Sequence, residues 1–156
     1  MSSKITLPVR RRLEKAARAA AASSYSPYSK FRVGSAILTG SGKIYAGANV
    51  ENASYGLANC AERTAIFAAA SHGERKIRCV MVYTPTPVPT MPCGACRQVI
   101  NEFGPHAVVI SVCDSDERIE TTLDRLQPVA FGPKNLEKKS RTSVHAPAKA
   151  SAGKKG

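Results

Sequence analysis

The chain has 156 residues, enough for one domain with one real core, and its 43% of apolar residues includes no run of 18 that would span a membrane. Its net charge of +12 invites a nucleic-acid partner, but the charge sits at the ends. Residues 1–18 hold six basic side chains and one acidic, residues 134–156 seven and one, and the stretch between them ten and nine. A near-neutral body with basic ends fits solvated termini better than a nucleic-acid groove, although such ends can hold phosphates loosely.

The first 24 residues, MSSKITLPVRRRLEKAARAAAASS, lack the continuous apolar core of a secretory signal. An organelle transit peptide is the less favoured reading. Apolar residues Val9, Leu13, Ala16, Ala17 and Ala20 recur at helical spacing and predict a helix over 9–24, ended by the segment that contains Pro27. Two strands follow, FRVGSAIL (31–38) and KIYAGANV (43–50), joined by the hairpin-type turn TGSG. Residues 51–59 form a polar loop. CAERTAIFAAASHG predicts a helix over 60–73, closed by Gly73. KIRCVMVY (76–83) is a buried strand by its apolar run, and the proline-rich TPTPVPTMP leads into a second helix, CGACRQVINEFG (93–104). AVVISVC (107–113) is another buried strand, and RIETTLDRL (118–126) holds a short strand and a helical turn. From about Lys138 onward apolar periodicity is absent, so residues 138–156 are expected to be a basic, disordered tail.

This order of elements predicts an α/β domain, one sheet with helices against its faces. The helices that begin at Cys60 and Cys93 each follow a loop leaving a strand. If the two strands run the same way, both helix starts converge at one edge, where open α/β sheets place ligands.

Five cysteines are present, an odd number that argues against a disulfide framework. Cys79 and Cys113 lie in apolar runs and read as buried small hydrophobes. Cys93 and Cys96 form a Cys-x-x-Cys after Pro92, which alone fits a redox pair, half a structural zinc site or a catalytic metal site. No second Cys-x-x-Cys exists, but Cys60 stands at another helix start. Three thiolates leave a tetrahedral ion one open position, which separates catalytic from structural zinc. Helix N-termini also favour the thiolate that zinc requires. Glu62, two residues after Cys60, fits the acid/base of metal-assisted hydrolysis; alone it would be a first-turn glutamate favoured by the helix dipole. Arg63 and Arg97 follow the ligand segments and can donate to ligand sulfurs, with plain surface charge the even alternative.

Cys60-Ala61-Glu62 followed by Pro92-Cys93-Gly94-Ala95-Cys96 resembles the zinc deaminase signature, in the variant with three cysteine ligands. SPYSKFRVGSAIL, NVENASYG, CAERTAIFAA, PCGACRQVINEFG and FGPKNL are together similar to the small homotetrameric zinc-dependent cytidine deaminases, over about Tyr25 to Leu136. The polynucleotide-editing relatives carry His at the first ligand position, where this chain has Cys60.

The resemblance implies a single three-layer α/β domain over residues 1–137, with a mixed central sheet flanked by helices, and one Zn²⁺ per chain held by Cys60, Cys93 and Cys96. It implies that Glu62 carries protons to ring N3 and to the departing amino group of a cytosine nucleoside. It further implies that Asn49 and Glu51 bind the ribose 3′-hydroxyl, that Phe31 packs on the base, and that Ala53 and Tyr55 belong to the substrate loop. Tyr55 would reach across a subunit interface, and Phe131 would close a neighbour's pocket. Arg63 would contact ligand sulfurs. The expected protein is a cytoplasmic homotetramer that acts on cytidine and deoxycytidine, without membrane association. Alternatives are an aminohydrolase for a modified nucleoside such as blasticidin S, a polynucleotide deaminase, and a zinc-stabilised binding module without catalysis. The tail and the proline-rich loop before Pro92 depart from the pattern and leave substrate preference open.

Overall fold

A computed structural model describes residues 5–136. The basic tail expected over 138–156 lies outside the described residues. Helix α1 spans Leu7–Ala22, with Pro8 in its first turn, where a missing amide hydrogen leaves no bond unmade. Strands β1 (Gly34–Thr39) and β2 (Ile44–Ala48) form the expected hairpin. The loop after β2 contains a 3-10 turn at Tyr55–Leu57. Helix α2 spans Ala61–Ser71, strand β3 Ile77–Tyr83 and helix α3 Gly94–Phe103. Strands β4 (Val108–Val112) and β5 (Arg118–Thr122) complete the sheet, and a single helical turn, α4, occupies Leu123–Leu126.

The strand order is β2-β1-β3-β4-β5. Among the strands of the described residues, only β3 and β4 pair in parallel, joined through α3; the other neighbouring pairs are antiparallel. Because β2 and β3 both oppose β1, they run the same way. Their C-terminal ends share one edge, and the loops leaving that edge deliver Cys60 and Cys93. The convergence expected from the sequence is present.

Strand residues alternate between two cores. Ile37, Val80, Val82 and Val109 face α2 and α3 with Ala65, Ile66, Ala69 and Ile100. Ala36, Leu38, Cys79, Met81 and Ile110 face α1 with Leu13 and Ala17. Both faces of β1 are covered, and all six of its residues are buried, as a sheet between helices requires. Cys79 and Cys113 are buried, as expected.

Two glycines set how close the helices come. A Cβ at Gly34 would lie 2.0 Å from the Ala17 carbonyl oxygen, so α1 rests directly on β1. A Cβ at Gly47 would lie 2.6 Å from the Ala65 amide nitrogen. That contact seats the first turn of α2, and with it Cys60 and Glu62, against β2.

The first strand is shorter than predicted. Phe31, Arg32 and Val33 precede β1 as irregular chain. The Asn49 side chain competes for their backbone: its Oδ1 accepts from Val33 N at 2.9 Å and its Nδ2 donates to Phe31 O at 2.8 Å. Part of the basic N-terminus is also used within the fold. Arg10 pairs with Glu120, while Arg18 donates to Cys113 O at 2.7 Å and lies 4.3 Å over the Tyr83 ring.

Candidate metal centre

Cys60 and Cys93 occupy equivalent places. Each is the extended residue immediately before a helix, and each carbonyl accepts the first intrahelical bond, from Thr64 N at 3.0 Å and Arg97 N at 2.9 Å. Their sulfurs therefore lie where free amides and the positive dipole end favour a thiolate. Cys96, one turn into α3, is fully buried. The three Sγ atoms lie within 4.8 Å of one another, and those of Cys60 and Cys93 are 3.9 Å apart. A tetrahedral ion about 2.3 Å from each sulfur needs them roughly 3.8 Å apart. The residues fit zinc in both geometry and donor chemistry.

The Cys60 thiol is pulled down to about 5 by a hydrogen bond from Cys96, against the opposing effect of burial, and then by Arg63. Cys96 is pushed up by the same shared contact and by burial. Arg63 beside Cys60 adds to the pull of the shared contact toward a thiolate there. Arg63 Nη2 donates to Cys60 Sγ at 3.5 Å and to Ala58 O at 3.3 Å, and its Nε is buried without a partner.

Arg97 behaves differently from Arg63: the sequence left sulfur contact and surface charge as even readings, and its guanidinium instead bonds backbone. Its Nε donates to Pro92 O at 2.9 Å and its Nη1 to Leu126 O at 3.2 Å. It braces the turn that presents Cys93 through backbone carbonyls.

Glu62 is only 4% exposed, in the first turn of α2. Burial pushes its carboxyl well above the usual range, and the neighbouring Cys60 charge adds to this; Cys96 is close enough to hydrogen-bond it. A solvated first-turn glutamate would show none of these features. The carboxyl is buried against the thiol cluster, and that burial favours its protonated form more than water would.

A family comparison bears directly on this arrangement. The family model described as "Cytidine and deoxycytidylate deaminase zinc-binding region" matches residues 9–112. The chain belongs to this deaminase family. A cytidine deaminase of Sporosarcina psychrophila is 48% identical over 115 residues, which cover 72% of this chain and 84% of the relative. The crystal structure of cytidine deaminase from Burkholderia pseudomallei superposes with a TM-score of 0.74 at 46% identity, covering 78% of this chain and 98% of that one. The Mycobacterium tuberculosis cytidine deaminase structure gives 0.68 at 39% identity, with 79% and 97% covered. The matched zinc-binding region contains all three cysteines, a cluster that could hold a metal ion, and membership agrees with the mixed sheet and flanking helices described above.

The substrate positions expected from the sequence fall on loops. Asn49 and Glu51 flank Val50, which bridges to Tyr25 on one side and Asn59 on the other. Asn49 Oδ1 also accepts from Ser24 Oγ at 2.5 Å. Glu51 Oε2 accepts from Tyr28 N at 2.9 Å and Ser29 N at 3.3 Å, and Oε1 accepts from Ser29 Oγ. Ala53 and Tyr55 are exposed, Tyr55 at 77%, and the Tyr55 ring lies 5.9 Å from that of Tyr28. Phe31 is exposed as well. Phe131 is 58% exposed; its carbonyl accepts from Gln98 Nε2 at 2.9 Å and Asn101 Nδ2 at 3.2 Å on α3. The sequence reading missed Ser24, Tyr28 and Ser29 as parts of this network. For Ser24 and Ser29 the signal was present as short polar residues around Pro27, which bond nearby backbone in turns, whereas Tyr28 takes part through its backbone amide.

Proposed function

We propose that this chain is a zinc-dependent cytidine deaminase, a hydrolase of cyclic amidine C–N bonds that converts cytidine and deoxycytidine to uridine and deoxyuridine in pyrimidine salvage. The observation that carries this reading is the buried Glu62 carboxyl against a three-thiolate cluster with one coordination position to spare. Bound zinc supplies the Lewis acidity that brings the pKa of water near 7.

Glu62 takes a proton from the attacking water and delivers it to ring N3. It then passes the second proton to the amino group, which leaves C4 as ammonia. One water is consumed, and the carboxylate is regenerated. The raised Glu62 carboxyl suits both directions of transfer, and burial keeps bulk water from short-circuiting them. Arg63 offsets thiolate charge at Cys60.

Phe31 packs on the base, Asn49 and Glu51 line the sugar side, and Ala53 belongs to the same substrate loop. A carboxylate offers about four acceptor positions. Three of those on Glu51 are taken by the Tyr28 amide, the Ser29 amide and the Ser29 hydroxyl. The remaining one accepts the 3′-hydroxyl. A polynucleotide, whose 3′-oxygen is esterified, has no proton to give there. This supports a free nucleoside as substrate over a nucleic acid.

The active assembly is a cytoplasmic homotetramer in which Tyr55 crosses an interface and Phe131 closes a neighbour's site. Exposed rings at Tyr28, Phe31, Tyr55 and Phe131 support this, because a lone chain leaves them in water. Among the described residues no helix is long and apolar enough to cross a membrane. Uridine or ammonia release is measured side by side from cytidine, deoxycytidine, CMP, blasticidin S and a single-stranded oligonucleotide. Cytidine and deoxycytidine should dominate. Faster turnover of the oligonucleotide or of blasticidin S overturns the assignment.

A further inference from the structure

We propose that Ser29 is a positioning residue, tying the sugar-binding carboxylate of Glu51 to the base-packing ring of Phe31 through one hydroxyl. The proposal rests on the roles given to Glu51 and Phe31 above and adds the residue that sets them relative to each other.

Ser29 Oγ has one proton and two lone pairs, and both capacities are used. It donates to Glu51 Oε1 and accepts from the Phe31 amide at 3.0 Å. The amides of Tyr28 and Ser29 fix only Oε2 of Glu51. Oε1, the oxygen left to orient toward a sugar, is held by Ser29. Phe31 is clamped from the other side by Asn49 Nδ2 on its carbonyl. The residue is thus held between Asn49, one arm of the Asn-x-Glu pair, and Ser29, which is bonded to the other arm, Glu51.

The chain between Ser29 and Phe31 needs such support. Lys30 has φ 58°, and it is the one non-glycine residue with positive φ among the described residues. A left-handed lysine is strained and persists where its surroundings over-determine it. Its own amide donates to Ser26 O at 3.1 Å, closing the turn from behind. Removal of the Ser29 hydroxyl leaves that strain opposed by fewer contacts and frees Phe31 and Glu51 to move independently.

Ser29 is exposed and contributes nothing to either core. Its loss should therefore act on substrate binding and leave stability nearly unchanged. Chemistry at Glu62 and the thiol cluster lies on other elements, so kcat should be spared.

The test compares wild type, Ser29→Ala and Ser29→Thr, with kcat and KM measured for cytidine and 3′-deoxycytidine and the urea midpoint recorded for each. Ser29→Ala should raise KM for cytidine about tenfold, as expected for losing a hydrogen bond to a charged group, with kcat within about twofold. The preference for cytidine over 3′-deoxycytidine should shrink by a similar factor. Ser29→Thr, which keeps the hydroxyl, should restore both. A wild-type-sized sugar preference in Ser29→Ala, a loss confined to kcat, or no rescue by Ser29→Thr overturns the role of Ser29 alone. A wild-type enzyme that does not distinguish the two sugars overturns the sugar reading of Glu51, and this proposal with it.

Discussion

The two halves of the proposed site are built in opposite ways. The metal half stands on helix starts: Cys60 and Cys93 precede α2 and α3, and Cys96 and Glu62 are buried inside first turns. The substrate half is made of loops carrying exposed rings, held by side chains such as Asn49 and Glu51 that bond neighbouring backbone. A ligand set must hold sulfurs to within a few tenths of an ångström, so it is placed on rigid elements whose packing fixes them. A substrate wall must admit and release a nucleoside. It can be left open in one chain and completed by another.

The largest expected effect tests the metal half. Glu62→Gln should keep one zinc per chain by metal analysis, yet lose about 10²–10⁴-fold in turnover, the usual contribution of an acid–base group. A variant retaining more than about a tenth of wild-type activity would make Glu62 a bystander. Zinc near zero in active wild-type protein would remove the metal half altogether.

A smaller effect should come from the substrate half. Phe131→Ala should raise KM for cytidine about tenfold, equivalent to about 1.4 kcal/mol of lost ring contact, with zinc content unchanged. Subunit exchange sharpens the comparison. Excess Glu62→Gln chains with an intact Phe131, mixed with Phe131→Ala chains, should recover activity at low substrate. Failure to recover after proven exchange would place Phe131 in its own chain's site, and both halves would then belong to one chain.

The smallest effect is expected far from both halves. The Arg10–Glu120 pair joins α1 to β5, with both side chains partly exposed. Glu120→Gln should cost under about 1 kcal/mol in urea unfolding at pH 7, with no change in KM or zinc content. The hydrogen bond from Arg10 holds the Glu120 carboxyl below its ordinary value. Its stabilisation is therefore fully present above the unfolded value near 4.3 and fades as pH falls through the lower folded one. The difference between wild type and Glu120→Gln should shrink near pH 3. A difference that grows on acidification would reverse this assignment.

Much of the fold was legible along the chain. The helices at 60–73 and 93–104 were placed to within about two residues because apolar period, helix-start cysteines and terminal glycines agree. The start of β1 was misplaced because Phe31–Val33 has strand composition, while the competing partner, Asn49, lies 16 residues away from Val33. Arg97 was left open between two readings for a similar reason. Its position beside Cys96 suggested a sulfur, but folding brings the Leu126 and Pro92 carbonyls within reach of its guanidinium.

The sequence by itself determined the deaminase family, and it carried the three cysteines and the glutamate on which the proposed site rests, because each belongs to a short motif whose spacing carries its chemistry. Tertiary structure decided what proximity along the chain does not encode. It brought β2 and β3 to run the same way, so that thiols 33 residues apart meet at 3.9 Å. It buried Glu62 beside them, and that burial raises the carboxyl. It also gave the Ser29 hydroxyl its two partners, since a hydrogen bond depends on separation in space and not on distance along the chain.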